Sequence, residues 1–241
     1  MHWVVRRMAP SEEAMDLLPV RRRMKFLRDG STRTAELVFC ETHGESVPIS
    51  RCATCPFSGN VAWALNGSSA TVECCRFSLP MARSASEPRP SVAPLRGPGA
   101  VEVAAMLPVG LSIARTVVCV AHDAPPSVAM RALAMESSAH GVAVVDESDR
   151  FMGMLSRTTV SLAYLHSGSR AADHVTAAWC SVHERESLGN AFAAMTAKHA
   201  REIAVLSEDG VLVGVLRDID ALRFVSFVSR TGQRPPLDDA A

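Results

Sequence analysis

The chain has 241 residues, 48% of them hydrophobic and 21% charged, an ordinary composition for one or two globular domains with a sizeable core. Its 25 basic residues balance 25 acidic ones, so no overall field draws it to nucleic acid or to an anionic membrane. No apolar run reaches the roughly 18 residues of a membrane span and the N-terminus lacks the apolar stretch of a secretory signal, so the expected location is the cytoplasm, where seven cysteines point to metal or burial and away from disulfides.

Residues 1–36 read as an N-terminal helical, basic segment. Pro10-Ser11-Glu12-Glu13 has the form of a helix start, and Arg21-Arg22-Arg23-Met24-Lys25-Phe26-Leu27-Arg28 reads as a solvated basic helix face. Phe26 is the only aromatic platform in that run, so nucleic acid is not an expected partner.

Residues 37–80 hold five of the seven cysteines, Cys40, Cys52, Cys55 and the pair Cys74-Cys75. Two cysteines three positions apart on a tight turn aim both thiolates at one ion, and tetrahedral zinc then takes two more soft ligands from elsewhere. Cys40 and Cys74 end the strand-like stretches Leu37–Cys40 and Ala70–Cys74. The expected cofactor is therefore a structural zinc on Cys40, Cys52, Cys55 and Cys74, stapling a segment too small to fold alone. His43, at Cys-x2-His spacing from Cys40, is an alternative ligand, and an iron–sulfur cluster on the same four thiolates is also chemically sound, ranked behind zinc. The Cys52/Cys55 turn with its flanking runs resembles a zinc ribbon. Cys119 and Cys180 lie far away and read as small core residues.

Residues 81–100 carry Pro88, Pro90, Pro94 and Pro98 among serines without periodicity and read as a mobile linker. Beyond it the chain is written twice. Residues 117–166 and 179–228 are two copies of one strand–helix–strand–strand–helix unit, in which Gly153 falls on Gly214 and Val144 on Val205 at an offset of 61. Val120 falls on Val182 at 62, so one residue has been lost in the loop between helix and second strand. In copy one the elements are a helix from Ser127 to Met135, strands over Gly141–Asp146 and Phe151–Leu155, and a helix start over Ser156–Val160. In copy two they are Ser187–His199, Ile203–Leu206, Val211–Leu216 and Arg217–Ala221. The apolar runs bounded by Asp, Gly and Ser are those of buried strands, and Val128, Ala132 and Met135 recur at helical spacing. Neither copy covers its own apolar face, so the two must pack together. Domains are expected at 101–168 and 169–230, followed by a disordered tail at 231–241.

Each copy resembles a cystathionine-β-synthase (CBS) domain. The resemblance implies an α/β (α+β) fold, with two β-α-β-β-α repeats packed as a pseudo-two-fold pair behind a small cysteine-rich β module. CBS pairs that bind adenosine nucleotides carry Gly-h-h-[Ser/Thr]-x-x-Asp at the end of each third strand, the hydroxyl for phosphate or ribose and the carboxylate for the ribose hydroxyls. Copy two has Gly214-Val-Leu-Arg217-Asp-Ile-Asp220, so Asp220 matches the carboxylate and Arg217 replaces the hydroxyl residue. Copy one has Gly153-Met-Leu-Ser156-Arg-Thr-Thr159, so Ser156 matches and Thr159 replaces the carboxylate. Where family members hold phosphate with an arginine on the second strand, this chain has Gly141 and Glu202, leaving Arg201 or Arg217 to supply charge.

The expected function is that of a non-enzymatic regulatory protein whose CBS pair senses an adenosine-type metabolite, AMP or S-adenosylmethionine ahead of ATP. The alternatives are a ligand-free dimerisation or adaptor module that grips an unknown protein partner, and a zinc-ribbon DNA-binding regulator led by residues 21–55. A homodimer is expected through a helix face suggested by Ala191, Met195, Leu222 and Phe224–Val228. No catalytic constellation emerges: His122, His140, His166, His174, His183 and His199 are scattered, and Ser50, Ser58 and Ser156 lack a nucleophile elbow.

Overall fold

The computed structural model describes residues 16–55, 58–63, 70–74, 102, 105–113, 116–136, 139–166, 168–175 and 179–231. The expected helix start at Pro10–Glu13, the linker at 81–100 and the tail beyond Thr231 lie outside them.

The basic run is a strand and not a helix face. β1 (Asp16–Phe26) pairs antiparallel with β2 (Thr32–Cys40), from Val20↔Val38 to Phe26↔Thr32. The turn between them is closed by Leu27 N–H donating to Ser31 O and Gly30 N–H to Leu27 O. Gly30 has φ 81°, and Asp29 Oδ1 accepts from both Ser31 N–H and Oγ–H. Asp29-Gly30 between two alternating runs is a hairpin signal that the charge pattern concealed. Neighbouring side chains of a strand point to opposite faces, so Met24 and Phe26 reach an apolar core while Arg23 and Lys25 reach a carboxylate on the other side.

β2 continues into β3 (Glu45–Pro48) and a short helix, α1 (Ile49–Ala53). β4 (Ser58–Trp63) pairs with β5 (Ala70–Cys74), and β5 pairs with the first residues of β1. The strand-like stretches at Leu37–Cys40 and Ala70–Cys74 are thus strands.

Copy one is β6 (Thr116–Ala121), α2 (Pro126–Met135), β7 (Gly141–Val145), β8 (Phe151–Ser156) and α3 (Arg157–Ala163). Copy two is β9 (Ser181–His183), α4 (Leu188–Ala197), β10 (Glu202–Leu206), β11 (Leu212–Arg217) and α5 (Asp218–Thr231). In each, the first two strands are parallel across a helical crossover and the third is antiparallel. The helices begin where local chemistry starts them: Pro126 sits in the first turn of α2, Ser156 Oγ caps α3 and Ser187 Oγ caps α4.

The two copies are covered differently. β1 runs parallel to β6, from Arg22↔Thr116 to Phe26↔Val120, so copy one's strands continue into the N-terminal strands as one sheet in the order β3-β2-β1-β6-β7-β8. Copy two keeps a three-stranded sheet. Its apolar side, including Leu188, Ala191, Met195, Ile203, Phe224 and Val228, shares one core with Leu18, Val20, Val38, Phe39, Val47 and Val72 of the N-terminal strands and with Leu107–Ile113. A second core joins Phe26 to α2 and the strands of copy one. A third lies between the repeats, with Val117, Cys119, Ala143 and Met154 against Ala204 and Leu212.

Val38, Phe39, Val47, Cys52 and Val72 of the cysteine-rich segment share their core with copy two. Ala191, Met195, Phe224 and Val228, taken as a dimer face, are buried within the chain, and of that set Leu222 is the one left well exposed, at 55%.

Charged groups bind the three parts together. Arg23 donates from Nη2 to Asp149 Oδ2 and from Nη1 to Leu212 O, both at 2.6 Å, so one guanidinium touches both repeats. Lys25 Nζ donates to Asp149 Oδ1 at 2.7 Å and to Asp146 O at 2.8 Å. Across the other repeat, Glu184 accepts from Ser46 N–H and Oγ–H, and Arg185 donates to the carbonyls of His43 and Gly44. Glu184 is buried at 1% exposure, and that burial pushes its carboxyl up, opposed by the Ser46 bonds and the Arg21 charge.

Candidate functional site

The half-motifs at the ends of β8 and β11 are linked by a continuous seam. In copy one, Gly141 at the start of β7 pairs with Ser156 at the end of β8. In copy two, Glu202 at the start of β10 pairs with Arg217 at the end of β11. His140 N–H donates to Glu202 Oε2 at 3.1 Å and joins the two. Each first helical residue of the closing helix ties back to its own repeat, Arg157 N–H to His140 O and Asp218 N–H to Arg201 O.

Within the seam the matched residues are paired locally. Arg217 Nε donates to Asp220 Oδ2 at 2.5 Å, one turn along α5, with both side chains partly exposed. Ser156 Oγ accepts from Thr159 N–H at 3.0 Å and shares a 2.8 Å bond with Thr159 Oγ1. Copy two therefore offers a carboxylate at the start of a helix, and copy one an uncharged hydroxyl pair. Arg201 is exposed and contributes its carbonyl.

Glu202 is the residue whose importance the motif comparison understated. It is 2% exposed, and burial pushes its carboxyl up, against the His140 amide and charge, the Arg217 charge and the Gly141 amide. Its Oε1 is buried without a hydrogen-bond partner among the described residues. Its apolar neighbours on β10, Ile203 and Ala204, suit a core strand, so the charge stands out only once the strand is known to be buried.

At the opposite ends of these strands, an open groove of about 590 Å³ is lined by Lys25, Arg28, Arg33, Asp29, Asp123, Asp146, Glu147 and His122.

The cysteines do not assemble a metal centre among the described residues, where no group of three or more His, Cys, Asp or Glu is placed to hold an ion. Cys52 lies in α1, buried in the core shared with copy two, and Cys40 packs against the same core. Cys55 N–H donates to Cys52 O, closing the tight turn read from the x2 spacing. Cys74 falls in β5, but its side chain lies outside the described set. None of the described cysteines is in a disulfide. Cys119 is a core residue as expected, its thiol pushed up to about 12 by burial, and Cys180 packs at the edge of a core.

The CBS domain family profile matches residues 109–166 and 179–226. The chain carries a tandem pair of CBS domains. Among solved structures, CBSX2 in complex with AMP is similar over 52% of this chain and 99% of that one, with 20% identity and a TM-score of 0.45. The CBS domain of a membrane protein from Sphaerobacter thermophilus covers 52% and 91%, with 16% identity and a TM-score of 0.45. The CBS pair of protein MJ0100, in complex with 5-methylthioadenosine and S-adenosyl-L-methionine, covers 51% and 98%, with 16% identity and a TM-score of 0.43. The curated proteins contain no match to this chain. No helix among the described residues is long and apolar enough to cross a membrane.

Proposed function

We propose that this chain is a non-enzymatic regulatory protein whose CBS pair binds one adenosine-type ligand at the seam, with Asp220 accepting the ribose hydroxyls and Arg217 swinging aside to release it. The carrying observation is the Arg217–Asp220 pair, which holds a partly exposed carboxylate at the start of α5 by a long, flexible side chain. The CBS family match over residues 179–226, which include Arg217 and Asp220, supports it. Copy one has no carboxylate to offer, because Ser156 and Thr159 satisfy each other. A two-fold relation between the repeats is supported by reciprocal bonds: Phe151 N–H donates to Gly210 O, and Leu212 N–H donates to Asp149 O, each pair related by the repeat offset.

Titration calorimetry with AMP, ATP and S-adenosylmethionine tests this. One site per chain is expected, Asp220→Ala should cost about 2–4 kcal/mol by stranding desolvated hydroxyls, and Thr159→Ala should matter far less. Wild-type protein that binds no adenosine compound at millimolar concentration would overturn it. A ligand-free scaffold is the second possibility, favoured by the fact that both half-motifs are already paired within their own repeats. Metal analysis of reduced protein decides the separate zinc expectation on Cys40, Cys52, Cys55 and Cys74: one equivalent supports it, and none removes it.

A further inference from the structure

The seam holds a carboxylate that its surroundings leave half satisfied. Glu202 Oε2 has the His140 amide, while Oε1 is buried with no hydrogen-bond partner among the described residues. Gly141 lies against it, so close that a Cβ there would stand 3.1 Å from Oε1 and 2.8 Å from Leu155 O.

Three arginines stand around this point, and each already has a partner or faces solvent. Arg157 is spent on the end of α2, donating from Nε to Ala139 O at 2.8 Å and from Nη2 to Leu133 O and Glu136 O. Arg217 is committed to Asp220, and Arg201 points to solvent ahead of β10. A ligand that takes Asp220 releases Arg217, but Glu202 is its register partner across the β10–β11 ladder, on the same face of the sheet. Glu202 then competes with any ligand phosphate for that guanidinium. An unpaired phosphate beside a buried carboxylate is strongly disfavoured at low dielectric, whereas a ligand N–H or cation finds Oε1 as an acceptor.

We infer that Glu202 makes the seam select adenosine-type ligands with a neutral or cationic 5′ substituent and reject those with a phosphate, which rests on the adenosine reading given above. Calorimetry on the full chain with 5′-methylthioadenosine and AMP compares one nucleoside with two 5′ groups. Wild-type protein should bind 5′-methylthioadenosine at least about tenfold more tightly than AMP. Glu202→Gln keeps the shape and removes the charge, and should close that gap to within about threefold by improving AMP. AMP binding as tightly as 5′-methylthioadenosine to the wild type overturns the inference and leaves the adenosine site standing. An unchanged ratio in a folded Glu202→Gln variant removes Glu202 as its cause. Binding of neither compound removes the adenosine site itself, and with it this inference. Should Glu202→Gln not fold, the wild-type comparison alone decides the ligand class.

Discussion

Copy one and copy two share a sequence pattern but are completed by different neighbours. Copy one gains a parallel strand, β1, along the edge of β6, and its helices close over Phe26. Among the described residues copy two gains no strand; its helices and sheet bury their apolar side against the N-terminal β-sheet. The same unit can thus be covered by edge pairing or by face packing, and here the N-terminal strands take part in both.

The difference is visible at single positions. Asp149 and Gly210 occupy the same turn, 61 residues apart, with φ of 63° and 76°. Glycine adopts that conformation freely, whereas aspartate adopts it at a cost that its bonds to Arg23 and Lys25 offset. The left-handed position carries a carboxylate in the turn that meets Arg23 and Lys25, and a glycine in the equivalent turn of copy two.

The largest test of this asymmetry is removal of the N-terminal part. A fragment beginning at residue 102 would expose Ile203, Val205, Leu216 and Phe224, and we expect it to aggregate or to lack a cooperative thermal transition by circular dichroism. A soluble fragment melting cooperatively would show that the pair stands without its covering sheet. Next in size is Arg23→Ala, which leaves Asp149 to Lys25 alone and frees Leu212 O, at an expected cost of about 2–3 kcal/mol in chemical denaturation. A double-mutant cycle with Asp149→Ala should show strong coupling, and additive losses would separate the two residues.

Smaller still is Gly214→Ala. A Cβ there would overlap Ile113 Cγ2, so the segment that ties the N-terminal part to copy two must shift, at about 1–3 kcal/mol. A neutral effect would show that Ile113 yields freely. The smallest expected effect is on pH dependence. Burial raises the carboxyls of Glu184 and Glu202, so above the ordinary value of about 4.3 the native state keeps protons that the unfolded chain has lost. Stability is full below that window and falls as pH rises through the elevated native value. Glu202→Gln should flatten the fall in melting temperature, and an unchanged slope would assign it to Glu184 or other groups.

Much of the fold was legible in the residues themselves. The repeat, the order of its elements and the strands at Leu37–Cys40 and Ala70–Cys74 follow from apolar runs between turn residues, because burial of a strand or helix face is written at its own local period. Motif spacing likewise placed Asp220, Arg217, Ser156 and Thr159 at helix starts, where they pair within one turn. What only the tertiary structure decided were relations over long separations. Arg23 and Lys25 looked like solvated charge until β1 was seen against copy one. Ala191, Met195, Phe224 and Val228 looked like a surface for a second chain until the N-terminal sheet was seen on them. The cysteine segment looked too small for a core of its own, and its core proved to be shared with copy two. A local pattern states that a face must be covered, but what covers it depends on contacts between residues more than a hundred positions apart, and no local period records those.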